Sequence, residues 1–245
     1  MIPEDKIKEF VEKMRAVAGT NLQSVILYGS AASGDYHPEF SNVNLFCVLR
    51  DGSYPKLRAL STVVKWWDRQ NQPPPLFMTR EELERSTDVF TIELIDMKQH
   101  HRVLWGDDVI ERLQIPMRLH RVQVEYELRE KLILLRQHLL LAGDDERRMR
   151  ELLVRSVSSF VTLFRHALMA LGESAPVAKR DAVVQLSARV GFDASAIEQA
   201  LDVRERKGEA GKLRASAIVG AYLEAVEKVT SAVDKMMEPD APAQS

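Results

Sequence analysis

The chain has 245 residues, of which 45% are hydrophobic, 29% charged and 7% aromatic. This length and composition suit one large globular domain or two smaller ones. Lys and Arg together number 34 and Asp and Glu 36, and the net charge of −2 excludes a global bias toward nucleic acid, although a local basic groove stays open. The single cysteine, Cys47, excludes an internal disulfide and a multi-cysteine metal site.

The N-terminal segment has no export signal. Residues 1–10 mix acidic and basic side chains and lack the apolar centre of a signal peptide. Apolar stretches such as 132–135 and 139–142 are far shorter than the ~20 residues that span a bilayer. We therefore expect a cytoplasmic protein without membrane association.

The N-terminal part alternates helix and strand signals. Ile7, Phe10, Val11 and Met14 recur at helical spacing, which predicts an amphipathic opening helix. Short apolar runs and turn residues then predict further elements. In chain order these are strands at 24–28 and 43–49, a helix at 54–69, a strand at 76–78, and a brief helix with a Thr79 and Glu82 capping box.

Two more strands are predicted before the composition changes. Residues 90–97 are interpreted as the third main strand, with helix as the competing interpretation, and residues 103–105 as a fourth short strand. The adjacent His100 and His101, and also His120, have no matching metal-ligand spacing, so they are expected on a solvated surface.

The second half of the chain is rich in Leu, Glu and Arg and lacks proline until Pro176. It predicts helices at 119–141, 145–171, 177–190, 194–206 and 213–236. The short connections favour an antiparallel bundle. We predict an α/β domain at residues 1–116, a helical bundle at 117–238 and a disordered tail at 239–245.

The most informative segment runs from residue 25 to residue 48. It reads Val-Ile-Leu-Tyr-Gly-Ser-Ala-Ala-Ser-Gly-Asp-Tyr-His-Pro-Glu-Phe-Ser-Asn-Val-Asn-Leu-Phe-Cys-Val. This segment resembles the signature of the DNA polymerase β-like nucleotidyltransferase superfamily, which is an apolar strand, Gly-Ser, a loop of about ten residues and Asp-x-Asp opening a second strand. The resemblance implies an α+β fold in which a nucleotidyltransferase-like mixed sheet with flanking helices precedes an all-α helical bundle, as in kanamycin-type and antitoxin-type bacterial members.

The resemblance also implies a site. The backbone of Gly29 and Ser30 would meet nucleotide phosphates, because glycine permits close approach and successive amides attract anions. In the family, two aspartates two residues apart face the same site and, with a third carboxylate from a neighbouring strand, hold two Mg²⁺ ions. Here both positions are asparagine, Asn42 and Asn44, whose amides bring no negative charge.

Glu93 is the best candidate for the third carboxylate, because Ile-Glu-Leu at 92–94 resembles the pattern on the third family strand. Asp96 is the alternative. If residues 90–97 form a regular strand, the two side chains point to opposite faces.

The sequence thus supports a nucleotidyltransferase-like protein with impaired catalysis that retains nucleotide or partner binding. The first alternative is an active Mg²⁺-dependent enzyme acting on a small hydroxyl compound or a protein, with metal held by Glu93, Asp96 or Asp35. The second is a structural or regulatory homodimer whose bundle recruits a protein partner. Natural replacement and engineered silencing both explain the asparagines.

Overall fold

The computed structural model describes residues 2–34, 36–176, 178–205, 207 and 212–236. Asp35 and the predicted tail at 239–245 lie outside the described residues. The chain divides into two compact units, Met1–Met117 and Arg118–Ser245.

The described part of unit 1 contains a four-stranded mixed sheet. Its strands are β1 (Leu22–Tyr28), β2 (Asn44–Leu49), β3 (Leu76–Thr79) and β4 (His101–Gly106). The order across the sheet is β3-β2-β1-β4, with β1 antiparallel to both neighbours and β2 parallel to β3. The helices are α1 (Glu4–Ala18), α2 (Ser30–Ser33), α3 (Tyr54–Ala59), α4 (Ser61–Asp68), α5 (Arg80–Arg85) and α6 (Thr91–Gln99).

One face of the sheet is covered by α1 and α4. The amphipathic pattern predicted for the first helix is confirmed, since Ile7, Phe10, Val11 and Met14 are its buried residues. They share a core with alternate residues of the central strands and with Trp67, whose ring centroid lies 5.0 Å from that of Phe10. The strand members of this core are Leu22, Val25, Leu27, Leu45, Cys47 and Leu49.

The opposite face carries the other set of alternate strand residues, including Ile26, Phe46 and Val48. It is covered by α5, α6 and the segment after β4, which contribute Leu83, Leu94, Met97, Val109, Ile110 and Leu113. The predicted capping box is confirmed: the Thr79 side chain accepts a hydrogen bond from the Glu82 backbone, and the Glu82 carboxylate accepts one from the Thr79 backbone.

The strand predicted at residues 90–97 is wrong, because this segment forms helix α6. Its buried residues, Thr91, Ile92, Leu94, Ile95 and Met97, include pairs three and four positions apart, which is helical spacing. A short apolar run does not by itself separate a strand from a buried helix. The competing interpretation was therefore correct, and the strand predicted at 103–105 is confirmed as part of β4.

Unit 2 is helical in its described residues. The helices are α7 (His120–Ala142), α8 (Glu146–Ala170), α9 (Lys179–Val190), α10 (Ser195–Arg204) and α11 (Ala215–Lys235). Helix α8 contacts the other four and supplies buried residues along its whole length. The predicted α+β fold with a following helical bundle is confirmed.

Among the described residues, α8 is the one helix long and apolar enough to cross a membrane by length and composition. Within its most apolar window, 61% is buried in the protein. That degree of burial is typical of a core helix, since apolar residues around such a helix pack against its neighbours.

Candidate functional site

The turn after β1 is built on a glycine conformation. Gly29 has φ 73° and ψ −153°, a combination that L side chains rarely adopt. The Gly29 carbonyl accepts hydrogen bonds from the backbone N–H groups of Ala32 and Ser33, which start the short helix α2. The chain therefore turns from strand into helix at Gly29 and Ser30, directly after Tyr28 ends the strand.

Asn44 lies beside this turn. Asn44 opens β2 and pairs with Tyr28 across the antiparallel ladder. A Cβ atom on Gly29 would lie only 2.9 Å from the Asn44 Nδ2 atom, so the turn and this amide are in close contact. Within β2, Leu45 and Cys47 belong to the core under α1 and α4, and therefore Asn44 faces the other side of the strand, whereas Asn42 precedes the strand. Asn42 is exposed and Asn44 half-buried.

Hydrogen bonds fix the approach to β2. The His37 backbone N–H donates to the Ser41 hydroxyl at 3.0 Å, and the Ser41 backbone N–H donates to the His37 carbonyl at 2.7 Å. The Val43 backbone N–H donates to the Gln72 Oε1 atom at 2.7 Å. These bonds hold the segment that carries Asn42 and Asn44. No local sequence pattern indicates the role of Gln72, which follows α4.

The expected third carboxylate is absent from the neighbouring strand. Strand β3 lies next to β2, and its residues are Leu, Phe, Met and Thr. Glu93 instead projects from helix α6 and lines a pocket together with Tyr28. Burial raises the pKa of the Tyr28 hydroxyl, and the negative charge of Glu93 raises it further. The assignment of Glu93, or of Asp96, to a strand was wrong because both lie on α6.

These residues do not fit a divalent metal pair. Asn42 and Asn44 offer neutral amide oxygens, whereas Mg²⁺ is held mainly by carboxylates. Over the described ranges there is no cluster of three or more His, Cys, Asp or Glu side chains that could hold a metal ion. The arrangement can present backbone amides and amide side chains to an anion, but it lacks the charges that two metals need.

Comparisons with known proteins agree with this geometry. Residues 4–101 match the family model described as the nucleotidyltransferase domain. Residues 4–101 of unit 1 are therefore identified as a nucleotidyltransferase domain. The predicted resemblance is thus confirmed, and the matched range contains the Gly-Ser turn, both asparagines and Glu93.

The fold of the whole chain is similar to a solved structure of spectinomycin adenyltransferase from Enterococcus faecialis with ATP and spectinomycin. The TM-score is 0.59 and the identity 15%, over 94% of this chain and 99% of that chain. At this identity the likeness establishes the fold alone. No functionally curated protein is detectably similar to the chain in sequence.

Two of the histidines expected on a solvated surface are hydrogen-bonded, His101 half-buried and His120 buried. In the nucleotidyltransferase domain, His101 donates from Nδ1 to the Met97 carbonyl at 2.8 Å, and its Nε2 atom lies 3.0 Å from the Asp108 carboxylate. In the bundle, His120 Nε2 lies 2.8 Å from His166 Nδ1, and both rings are fully buried. The prediction was wrong because these contacts join residues far apart in the sequence or across a turn.

Asp108 gives the nucleotidyltransferase domain a pH-dependent contact. Burial raises its pKa, but the His101 side chain and the backbone N–H groups of Glu111 and Ile110 stabilise the carboxylate and hold the net pKa below its ordinary value. A depressed folded pKa stabilises the fold above the unfolded pKa, about 3.9, and this contribution is lost as the pH falls through the folded value.

Asp108→Asn is therefore expected to lower the melting temperature at pH 7 by roughly 2–4 °C, the effect of about 1 kcal/mol on a chain of this size. Thermal unfolding from pH 7 down to pH 3 should show the difference from wild type shrinking below pH 4. Asp107→Asn is the control, since that carboxylate is 80% exposed and pairs with Arg80 at 3.6 Å. An Asp108 effect that is equal at both ends of the range would contradict the assignment.

Proposed function

We propose that this protein is a nucleotidyltransferase-like protein with impaired or absent nucleotidyl transfer, which retains nucleotide binding at the turn of Gly29 and Ser30. The observation that carries the proposal is the neutral pair Asn42 and Asn44 at the positions where the superfamily has its metal-binding aspartates. The lack of a carboxylate on β3, next to β2, supports it.

The retained binding rests on the turn rather than on metal. The backbone turns at Gly29 with positive φ, and α2 begins at Ser30. Successive backbone N–H groups in such a turn attract anions. Close approach of a phosphate to this backbone needs the missing Cβ of glycine. Without metal, binding energy comes from these amides and the amide side chains beside them, so we expect weak affinity that does not depend on Mg²⁺.

The test is thermal unfolding of the full chain with ATP, GTP, CTP or UTP, each with Mg²⁺ or with EDTA. A ligand that binds only the folded state stabilises it by RT ln(1 + [L]/Kd), about 1.4 kcal/mol at a tenfold excess over Kd. We expect at least one nucleotide to raise the melting temperature equally with and without Mg²⁺, and no release of pyrophosphate.

Two glycine variants separate binding at the turn from general stability. Gly29→Ala should abolish the nucleotide-dependent shift, because its Cβ would occupy the space beside Asn44. Gly19→Ala is the matched control, since Gly19 also has positive φ (53°) but has open space around it, and it should keep the full shift.

A shift that requires Mg²⁺, with pyrophosphate released, would overturn the proposal in favour of an active enzyme. No shift with any nucleotide would favour partner recruitment through the bundle. Exposed apolar side chains along α7 support this second candidate function, partner recruitment. They are Val122, Tyr126, Ile133, Leu134, Leu140 and Leu141.

A further inference from the structure

A pocket of about 210 Å³ lies between α6 and the sheet face that carries Phe46. We call it the α6 pocket. The lining residues that matter for its chemistry are Tyr28, Phe46, Met78, Phe90, Glu93 and Met97. It is a feature of the nucleotidyltransferase domain alone, and nothing in the nucleotide-binding proposal uses it.

The walls of the α6 pocket are apolar and aromatic. Phe46 is fully buried in the core of this face, Met97 is also buried, and Phe90 is 41% exposed. Methionine sulfur atoms and aromatic rings attract one another, and methionine side chains adapt to irregular shapes. These walls therefore favour a flat apolar group, and the exposure of Phe90 leaves a route by which it can enter.

One charged group lines the same space. Glu93 is exposed, and its negative charge raises the pKa of the Tyr28 hydroxyl, which lines the same pocket. A carboxylate beside an apolar surface attracts a cation whose remaining body is apolar, because the ion pair and the burial reinforce each other. An anionic ligand would be repelled by the same carboxylate.

The size limits the ligand. An apolar protein cavity of about 150 Å³ binds benzene. A pocket of about 210 Å³ therefore accommodates one aromatic ring with a short substituent.

We propose that the α6 pocket is a binding site for small single-ring aromatic amines. The ring lies against Phe46, Met78 and Met97, and the protonated amine pairs with Glu93. The pocket lining includes neither Gly29 nor Ser30, so this site gives the domain a second class of ligand.

The test uses the full chain with its methionine methyl groups labelled with carbon-13. Met78 and Met97 line the pocket, and their signals are assigned with Met78→Leu and Met97→Leu. Benzylamine, benzyl alcohol and phenylacetate are titrated in turn, without nucleotide. We expect benzylamine to shift both signals with at least fivefold higher affinity than benzyl alcohol, and phenylacetate to have no effect.

Matched variants isolate the charge. Glu93→Gln should weaken benzylamine at least fivefold and leave benzyl alcohol unchanged. Glu84→Gln, on neighbouring α5 and outside the pocket lining, should change neither. Ser86→Leu, which fills the pocket wall, should reduce the binding of both probes.

Two results would overturn the proposal. One is the absence of shifts at Met78 and Met97 with 10 mM benzylamine. The other is equal affinity for benzylamine and benzyl alcohol in wild type and in Glu93→Gln. Because no nucleotide is present, either failure leaves the test of nucleotide binding unaffected.

Discussion

Replacing both Asn42 and Asn44 by aspartate is expected to lower the melting temperature without metal. With Mg²⁺ and a nucleoside triphosphate present, the same variant is expected to gain stability. Without metal, two carboxylates only two residues apart repel each other and destabilise the fold. With Mg²⁺ and a nucleoside triphosphate, the same carboxylates supply the hard oxygen ligands that the asparagines lack. We expect a gain of roughly 5–10 °C over the metal-free variant at a hundredfold excess over Kd.

The control variant adds the same two negative charges at positions away from residues 42 and 44. Gln137→Glu with Gln199→Glu adds two negative charges on exposed positions of the bundle, and it should show no response to Mg²⁺ with nucleotide. If wild type responds to Mg²⁺ as strongly as the aspartate variant, the two asparagines are not what limits metal binding. If the aspartate variant does not respond, the cleft itself is unable to assemble a metal–nucleotide complex.

In the aspartate variant, we expect Mg²⁺-dependent nucleotide binding to return more fully than nucleotidyl transfer. The strand next to β2 has no carboxylate, and Glu93 comes from a helix that contributes to a different pocket. A two-metal site needs ligands on both sides of each ion. Pyrophosphate release by the aspartate variant, measured with each nucleotide, should therefore stay low even where Mg²⁺-dependent binding is clear.

The Gly-Ser turn and its two strands could be predicted because their signals are local. An apolar run, a glycine turn and a second apolar run lie within 25 residues, and alternation places Asn42 and Asn44 on one face without reference to the rest of the chain. In the structure Asn44 lies opposite Tyr28 in the ladder, and Asn42 precedes the strand.

The third carboxylate could not be located in the same way, because it depends on which strand lies next to β2. That neighbour is β3, which the sequence predicted as a strand but not as the partner of β2. Residues 90–97 have an apolar pattern that suits a helix or a strand. In the structure they form α6, which packs against the sheet face that carries Phe46. The α6 pocket likewise joins Tyr28 to Glu93 across 65 positions, and no local pattern reports such a contact.

At Gly106, we expect an added methyl group to cause the largest loss of stability in the nucleotidyltransferase domain. The glycine ends β4 with φ 82° and pairs with Ser24 of β1. An added Cβ would lie 2.0 Å from the Gln23 carbonyl oxygen and 3.0 Å from the Ser24 Cα atom. Both are backbone atoms, so no side-chain rotation relieves the overlap, and β1 and β4 must separate at this end.

Gly106→Ala is therefore expected to lower the free energy of unfolding of this domain by about 4 kcal/mol or more, well beyond a typical single substitution. Gly19→Ala is the matched control, because its positive φ carries strain of about 1–3 kcal/mol but its Cβ meets no atom within 4 Å. Urea unfolding followed by tryptophan fluorescence compares the two, since all three tryptophans lie in unit 1. Equal losses would show that backbone strain alone, and not the contact with Gln23, makes glycine necessary. A much larger loss at Gly106 means that this glycine holds β4 against β1, and with it the strand whose end, Tyr28, borders both the Gly-Ser turn and the α6 pocket.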